Sequence, residues 1–181
     1  NLSAIQLSNI ETDDALAIKQ CKDIISGRDS IICCNDKDLL MVQGNHFRLH
    51  SNHRDAIKTE GFGDIYYSDD GKTVKGTGNK FFFSQILLGD SADNYGGLYR
   101  CGAKSPWVKE LFTCETYEEA LSLVITAFSQ TYGEGWEDKL LEQGRLAWML
   151  RVPYKKALGE DNLWTFNHDS NFYDRNKRWL I

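Results

Sequence analysis

The stretch from Asp13 to Cys34 constrains the fold more than any other part of the chain. Ala15, Ile18, Cys21 or Lys22, and Ile25 recur at three- and four-residue steps, the spacing of one buried helix face. Gly27 and Arg28-Asp29 then interrupt, and Ser30-Ile31-Ile32-Cys33-Cys34 is a short continuous apolar run. A strand buried on both faces of a parallel sheet takes that form. A helix feeding such a strand is half of a βαβ unit, so an α/β fold is expected. The 181 residues suffice for one compact core but not for two large domains. With 41% apolar residues, 26% charged residues and only 2 Pro, disorder and collagen-like repeats are excluded.

From Arg48 to Thr77 the chain is polar and Gly-rich, and Asp64–Ser68, a turn at Asp69-Asp70-Gly71-Lys72, and Thr73–Lys75 predict a surface hairpin. Phe81–Leu88 reads as a helix leading into a glycine-marked turn at Gly96, Gly97 and Gly102. Thr116-x-x-Glu119 is a capping-box pattern that opens a helix running to Thr131, and Trp136–Arg151 repeats the helical register. The tail from Asn162 alternates aromatic and polar residues without a period. There is no internal repeat, low-complexity tract or linker. Leu121–Phe128 and the other apolar stretches fall short of the roughly 20 residues that span a bilayer, and no secretory signal opens the chain. Five cysteines without disulfide-framework spacing point to a reducing, cytoplasmic setting. No membrane or protein partner is expected.

The chemistry lies in the carboxylates. Glu11, Asp13 and Asp14 stand directly before a helix, where an N-cap and a dipole-complementing first turn already account for one or two acids. Asp36 and Asp38 follow the apolar strand; ligands gather beyond the carboxyl ends of strands in open α/β sheets, although a solvated loop explains them equally. Asp90 and Asp93 are three residues apart, so on a helical turn both would face the same way. Their spacing does not fit an EF-hand loop. If the three clusters converge, like charges raise one another's pKa values unless cations sit among them. Hard divalent ions resolve that, and Mg²⁺ is the usual choice where phosphate is the substrate. Two such ions would activate a water and stabilise the leaving oxygen of a phosphodiester.

Glu11-Thr-Asp13-Asp14, Asn35-Asp36-Lys37-Asp38-Leu39, Gly89-Asp90-x-x-Asp93-Asn94 and Gly97-Leu-Tyr-Arg-Cys-Gly102-Ala-Lys104 resemble, in order and approximate spacing, the successive signatures of the 5′-nuclease superfamily. This family includes flap endonucleases, the 5′→3′ exonuclease domain of bacterial DNA polymerase I, and phage exonucleases. Gln143-Gly144-Arg145 and the aromatic-basic tail most resemble the small exonucleases of short-tailed coliphages. The resemblance implies the C-terminal part of a PIN-like parallel-sheet core over residues 1–80. It implies a helical region with a helix–three-turn–helix over residues 81–181. It also implies metal-dependent 5′→3′ cleavage of DNA carrying a 5′ end or flap, in phage replication or DNA degradation within a bacterial host cytoplasm. Glu11, Asp13 and Asp14 would then belong with one Mg²⁺ or Mn²⁺, and Asp36, Asp38, Asp90 and Asp93 with a second. Gly97, Arg100, Gly102 and Lys104 would grip the duplex backbone, with Arg145 as a further contact; Arg100 stands where the family commonly has Gly. The family's opening strand, its first Asp and the helical arch do not precede Glu11, so the chain reads as a truncated one. A non-catalytic duplex-DNA-binding fragment and a related RNA-cleaving nuclease are the competing readings.

Weaker signals have plainer explanations. His46, His50 and His53 suit a polar surface loop better than a zinc site. Gly71–Lys80 departs from a phosphate-binding loop, because Gly76 is not followed by Lys-[Ser/Thr] and no strand-to-helix junction is expected there. Cys33 and Cys34 suit small core positions. Arg145, Arg151, Lys155 and Lys156 form either a solvated face or a DNA-backbone track. The formal charge of −5, from 26 acidic against 21 basic residues, at first argues against a polyanionic partner. Setting aside the seven clustered acids leaves 19 acidic residues against 21 basic ones, so the average hides two opposite surfaces.

Overall fold

The computed structural model describes residues 4–8, 10–49, 54–151 and 163–166. The helix expected from Asp13 forms as α1 (Thr12–Ile25) and ends at Ser26 and Gly27, the latter at φ +66°. Its buried face, however, runs through Ala17, Ile18, Gln20 and Cys21, while Ile25 of the expected stripe is 63% exposed. The apolar run forms β1 (Ile31–Cys33), which pairs parallel to β2 (Gly44–Leu49); β2 pairs antiparallel to β3 (Arg54–Thr59). The sheet order is β1-β2-β3, a mixed sheet rather than the parallel one expected. Among the described residues β1 is an edge strand. Only Ile32 is buried, while Ile31 is 53% exposed and Cys33 is exposed, so neither the two-sided burial nor the core role of Cys33 holds. A continuous apolar run is consistent with two-sided burial but does not impose it.

The polar stretch after Arg48 hides the β2–β3 pair, whose strands carry too few apolar residues to announce themselves. His46 in β2 is 2% exposed, and its Nε2 lies 2.8 Å from the Val42 carbonyl oxygen, so it is a core histidine rather than a loop residue. His50 and His53 lie outside the described residues. The hairpin forms as expected, as β4 (Ile65–Tyr67) and β5 (Val74–Gly76). Contrary to expectation, β5 then runs through Thr77 straight into α2 (Gly78–Leu88).

α2 organises the larger core. Phe81, Phe82, Phe83, Ile86 and Leu87 are all buried, the signature of a helix covered on every side. Around it pack α3 (Pro106–Leu111), α4 (Tyr117–Tyr132) and α5 (Trp136–Ala147). Phe82 meets Trp148 and Trp164 edge-on, with ring centroids 5.0 and 5.5 Å away. The Thr116 hydroxyl caps α4 by accepting from the Glu119 N–H, and Glu119 accepts from the Glu115 N–H in return. α5 stops at Ala147, short of the expected Arg151.

A smaller cluster joins Ala17 and Cys21 of α1 to Ile32, Leu39 and Val42. The two cores meet at a 3₁₀ turn, Asp38–Met41, whose Leu39 belongs to the small cluster and Met41 to the large one. Among the described residues the fold is thus mixed α/β, with a small mixed sheet and five α-helices. No helix among them is long and apolar enough to cross a membrane.

Candidate metal centre

Three elements deliver the acids to one place. Asp36 and Asp38 leave the carboxyl end of β1, and the Asp36 carboxylate accepts from the Asp38 N–H at 2.9 Å, which fixes the start of the 3₁₀ turn. Asp90 and Asp93 lie in the loop after α2. That loop is closed by reciprocal backbone hydrogen bonds between Asp90 and Tyr95, at 2.9 and 3.0 Å. A loop rather than the expected helical turn therefore brings the two acids together. Asn94 takes φ +59°, a conformation Asn tolerates better than most residues.

One carboxylate oxygen each from Asp38, Asp90 and Asp93 lies within 4.8 Å of the others. Asp38 is buried, Asp90 half-buried and Asp93 exposed, so the triad is anchored at one end and open to solvent at the other. This group could hold a metal ion. The donors are all carboxylate oxygens, which suits a hard cation and not a zinc site built on His or Cys.

Glu11, Asp13, Asp14 and Asp36 do not join that ligand group among the described residues, but their charges act on it and on one another. Burial raises the Asp13 pKa above the ordinary carboxylate value, and Asp36, Glu11, Asp14 and Asp93 each push it further in the same direction. That influence is electrostatic, and it shows all three acidic clusters sharing one field. Burial likewise raises Asp38; Asp36 adds to the rise, and the attraction of Lys37 does not cancel it. Burial would also raise Asp90, but the Lys37 ammonium beside it outweighs that and holds the carboxyl below its usual value. Asp14 also reaches the segment just after α5, where its Oδ1 accepts from the Leu150 N–H at 2.8 Å.

Three neighbours escaped the sequence reading. Lys37 pairs with Asp90 and lies 3.3 Å from Asp38. Gln85 donates to Asp38 Oδ1 at 2.9 Å. The Tyr95 side chain is 7% exposed; its burial and the charges of Asp38, Asp90 and Asp93 push the phenol pKa up. The amide of Gln85, set in the apolar run of α2 after Ser84, was the available signal, because a buried amide must find a partner.

The glycine-marked turn joins α2 to α3. Gly97 takes φ +64° and is buried; a Cβ there would collide with the Gly89 backbone, and its N–H donates to Gln143 Oε1 at 2.7 Å. Its N–H is therefore committed to α5 and is not offered to a phosphate. Arg100, Gly102 and Lys104 are exposed, and nothing lies within 4 Å of where a Gly102 Cβ would stand. Arg100 takes φ +56°, and its guanidinium lies 5.1 Å from the Tyr99 ring centroid. Arg145 is half-buried, its Nε 3.5 Å from the Trp164 carbonyl oxygen. Arg151 is not part of a surface track. It is buried, stacked on Trp148 at 4.1 Å, and donates to the Met41 carbonyl and to Asn79 Oδ1. Lys155 and Lys156 lie outside the described residues. No family model and no solved structure matches the chain.

Proposed function

We propose that the protein is a metal-dependent nuclease of the 5′-nuclease type, with a PIN-like core, that hydrolyses DNA phosphodiesters from a 5′ end. The observation that carries this reading is the approach of the Asp38, Asp90 and Asp93 carboxylates within 4.8 Å, at the point where β1 and α2 both end. Asp38, Asp90 and Asp93 would hold one Mg²⁺ or Mn²⁺. Asp36 would assist there, and Glu11 and Asp13, with Asp14 close by, would belong with a second ion. When bound, such a pair of ions makes a water nucleophilic near neutral pH and stabilises charge on the departing oxygen.

The remaining steps belong to the chain itself. Gln85 holds the buried oxygen of Asp38, which leaves the carboxylate with a fixed orientation. Lys104 and Arg100 supply positive charge at the exposed turn, and Gly102 leaves backbone bare for a close phosphate approach. Asp90, Asp93 and the turn that begins at Gly97 belong to one connection, between α2 and α3.

The test is cleavage of 5′-labelled duplex by the protein in Mg²⁺. Asp36→Ala and Asp90→Ala are each expected to abolish cutting and to leave duplex retention largely intact. Undiminished Mg²⁺-dependent turnover in both variants would overturn the assignment. Retention without any cleavage by the unmodified protein would favour a duplex-binding role.

A further inference from the structure

Lys37 is the one basic residue placed inside the acidic site among the described residues. Its ammonium contacts Asp90 and lies 3.3 Å from Asp38, whose Oδ1 also accepts from Gln85. The Asp90 and Asp38 side chains are mostly buried, whereas the lysine side chain is 47% exposed. The lysine is therefore the solvent-facing member of both pairs. No ion pair among the described residues reaches Asp93. A single positive charge thus faces three carboxylates gathered within 4.8 Å and neutralises only one of them.

The geometry points to a specific role. Lys37 is an intramolecular counter-ion that occupies the Asp38–Asp90 side of the site in the metal-free protein, and a divalent cation binds by displacing it. This rests on the metal-site reading above and adds the regulation of that site. An ammonium held by two carboxylates resists like-charge repulsion while the site is empty of metal. It also competes with an incoming cation for the same oxygens, so it weakens metal affinity. A lysine that merely positioned the acids would do the reverse: its removal would loosen the site and weaken binding.

The experiment is a titration of the protein with Mn²⁺ at fixed ionic strength, followed by calorimetry and by the electron paramagnetic resonance of free Mn²⁺. Lys37→Met and Lys37→Gln are compared with the unmodified chain. Both variants are expected to bind Mn²⁺ about tenfold more tightly, within the usual range of coupling between competing ligands. In chelator both should melt below the unmodified protein, and Mn²⁺ should raise their melting temperatures by more than it raises that of the parent. Affinity unchanged or weakened in both variants, with Mn²⁺ still binding the parent, overturns the counter-ion role and leaves the metal site standing. Absence of Mn²⁺ binding in all three proteins overturns both. Binding seen only in the variants supports the displacement role in its strongest form.

Discussion

Arg100 holds a backbone conformation that costs an L-residue roughly 1–2 kcal/mol, and it does so on an exposed turn where no packing requires its side chain. Replacing it with Gly removes the strain but adds freedom to the unfolded chain, two effects of similar size and opposite sign. Arg100→Gly should therefore leave stability unchanged or raise it by up to about 1 kcal/mol, read from urea unfolding, while duplex retention falls several-fold. A clear loss of stability would show that the arginine is held for packing instead. The acids present a similar conflict: Asp13 sits where burial and four neighbouring carboxylates oppose its charge. Asp13→Asn should raise the melting temperature in chelator by about 1–3 °C, and differential scanning fluorimetry with and without Mn²⁺ should show a smaller metal-induced rise than in the parent.

At the scale of the elements, what the sequence disclosed follows from how burial is distributed along each one. α2 and α4 bury whole surfaces or stripes of large side chains, and their apolar character is visible. α1 buries small and polar residues such as Ala17, Gln20 and Cys21, so its helix was legible but its buried face was not. The β4–β5 hairpin was legible because turn residues bracket it. The β2–β3 pair was not, because it is held by backbone pairing and by polar residues such as His46 and Thr59, which are buried in spite of their type. His46 gives that pair a pH dependence. Burial holds its imidazole pKa below the ordinary 6.5, so the unfolded chain takes the proton first. Stability is full above about pH 6.5 and declines as pH falls toward the lowered folded value. Asp13 and Asp38, raised in the fold, act in the opposite sense at lower pH. Urea midpoints measured between about pH 7.5 and 5.5 should fall, and a His46→Gln variant should lose most of the slope. α5 offers a packing test: a Cβ at Gly144 would overlap the Trp164 ring, so Gly144→Ala should cost about 1–3 kcal/mol in the same assay.

Across the whole molecule, the acidic site was legible as residue types and boundaries, since every cluster follows or precedes an element end. Its internal organisation was not. That Lys37 sits among the acids, that Gln85 braces Asp38, and that Gly97 is committed to Gln143 all depend on contacts between distant parts of the chain. Chelator should lower the melting temperature of the protein and Mg²⁺ should restore it, an effect confined to proteins with the triad intact; equal behaviour of Asp38→Asn would argue against binding there.

The hydrogen bond from Leu150 to Asp14 and the buried Arg151 reaching Met41 and Asn79 tie the segment after α5 back to α1 and the junction between the cores. During synthesis, α1, β1 and the loop after α2 leave the ribosome long before residues 150 and 151 do. Until those residues emerge, Asp14 lacks its clasp and the junction between the two cores lacks its cation. The first turn of α1, with Asp13 and Asp14, therefore gains its contact with residue 150, and the junction between the two cores its cation, only after α5 has been made.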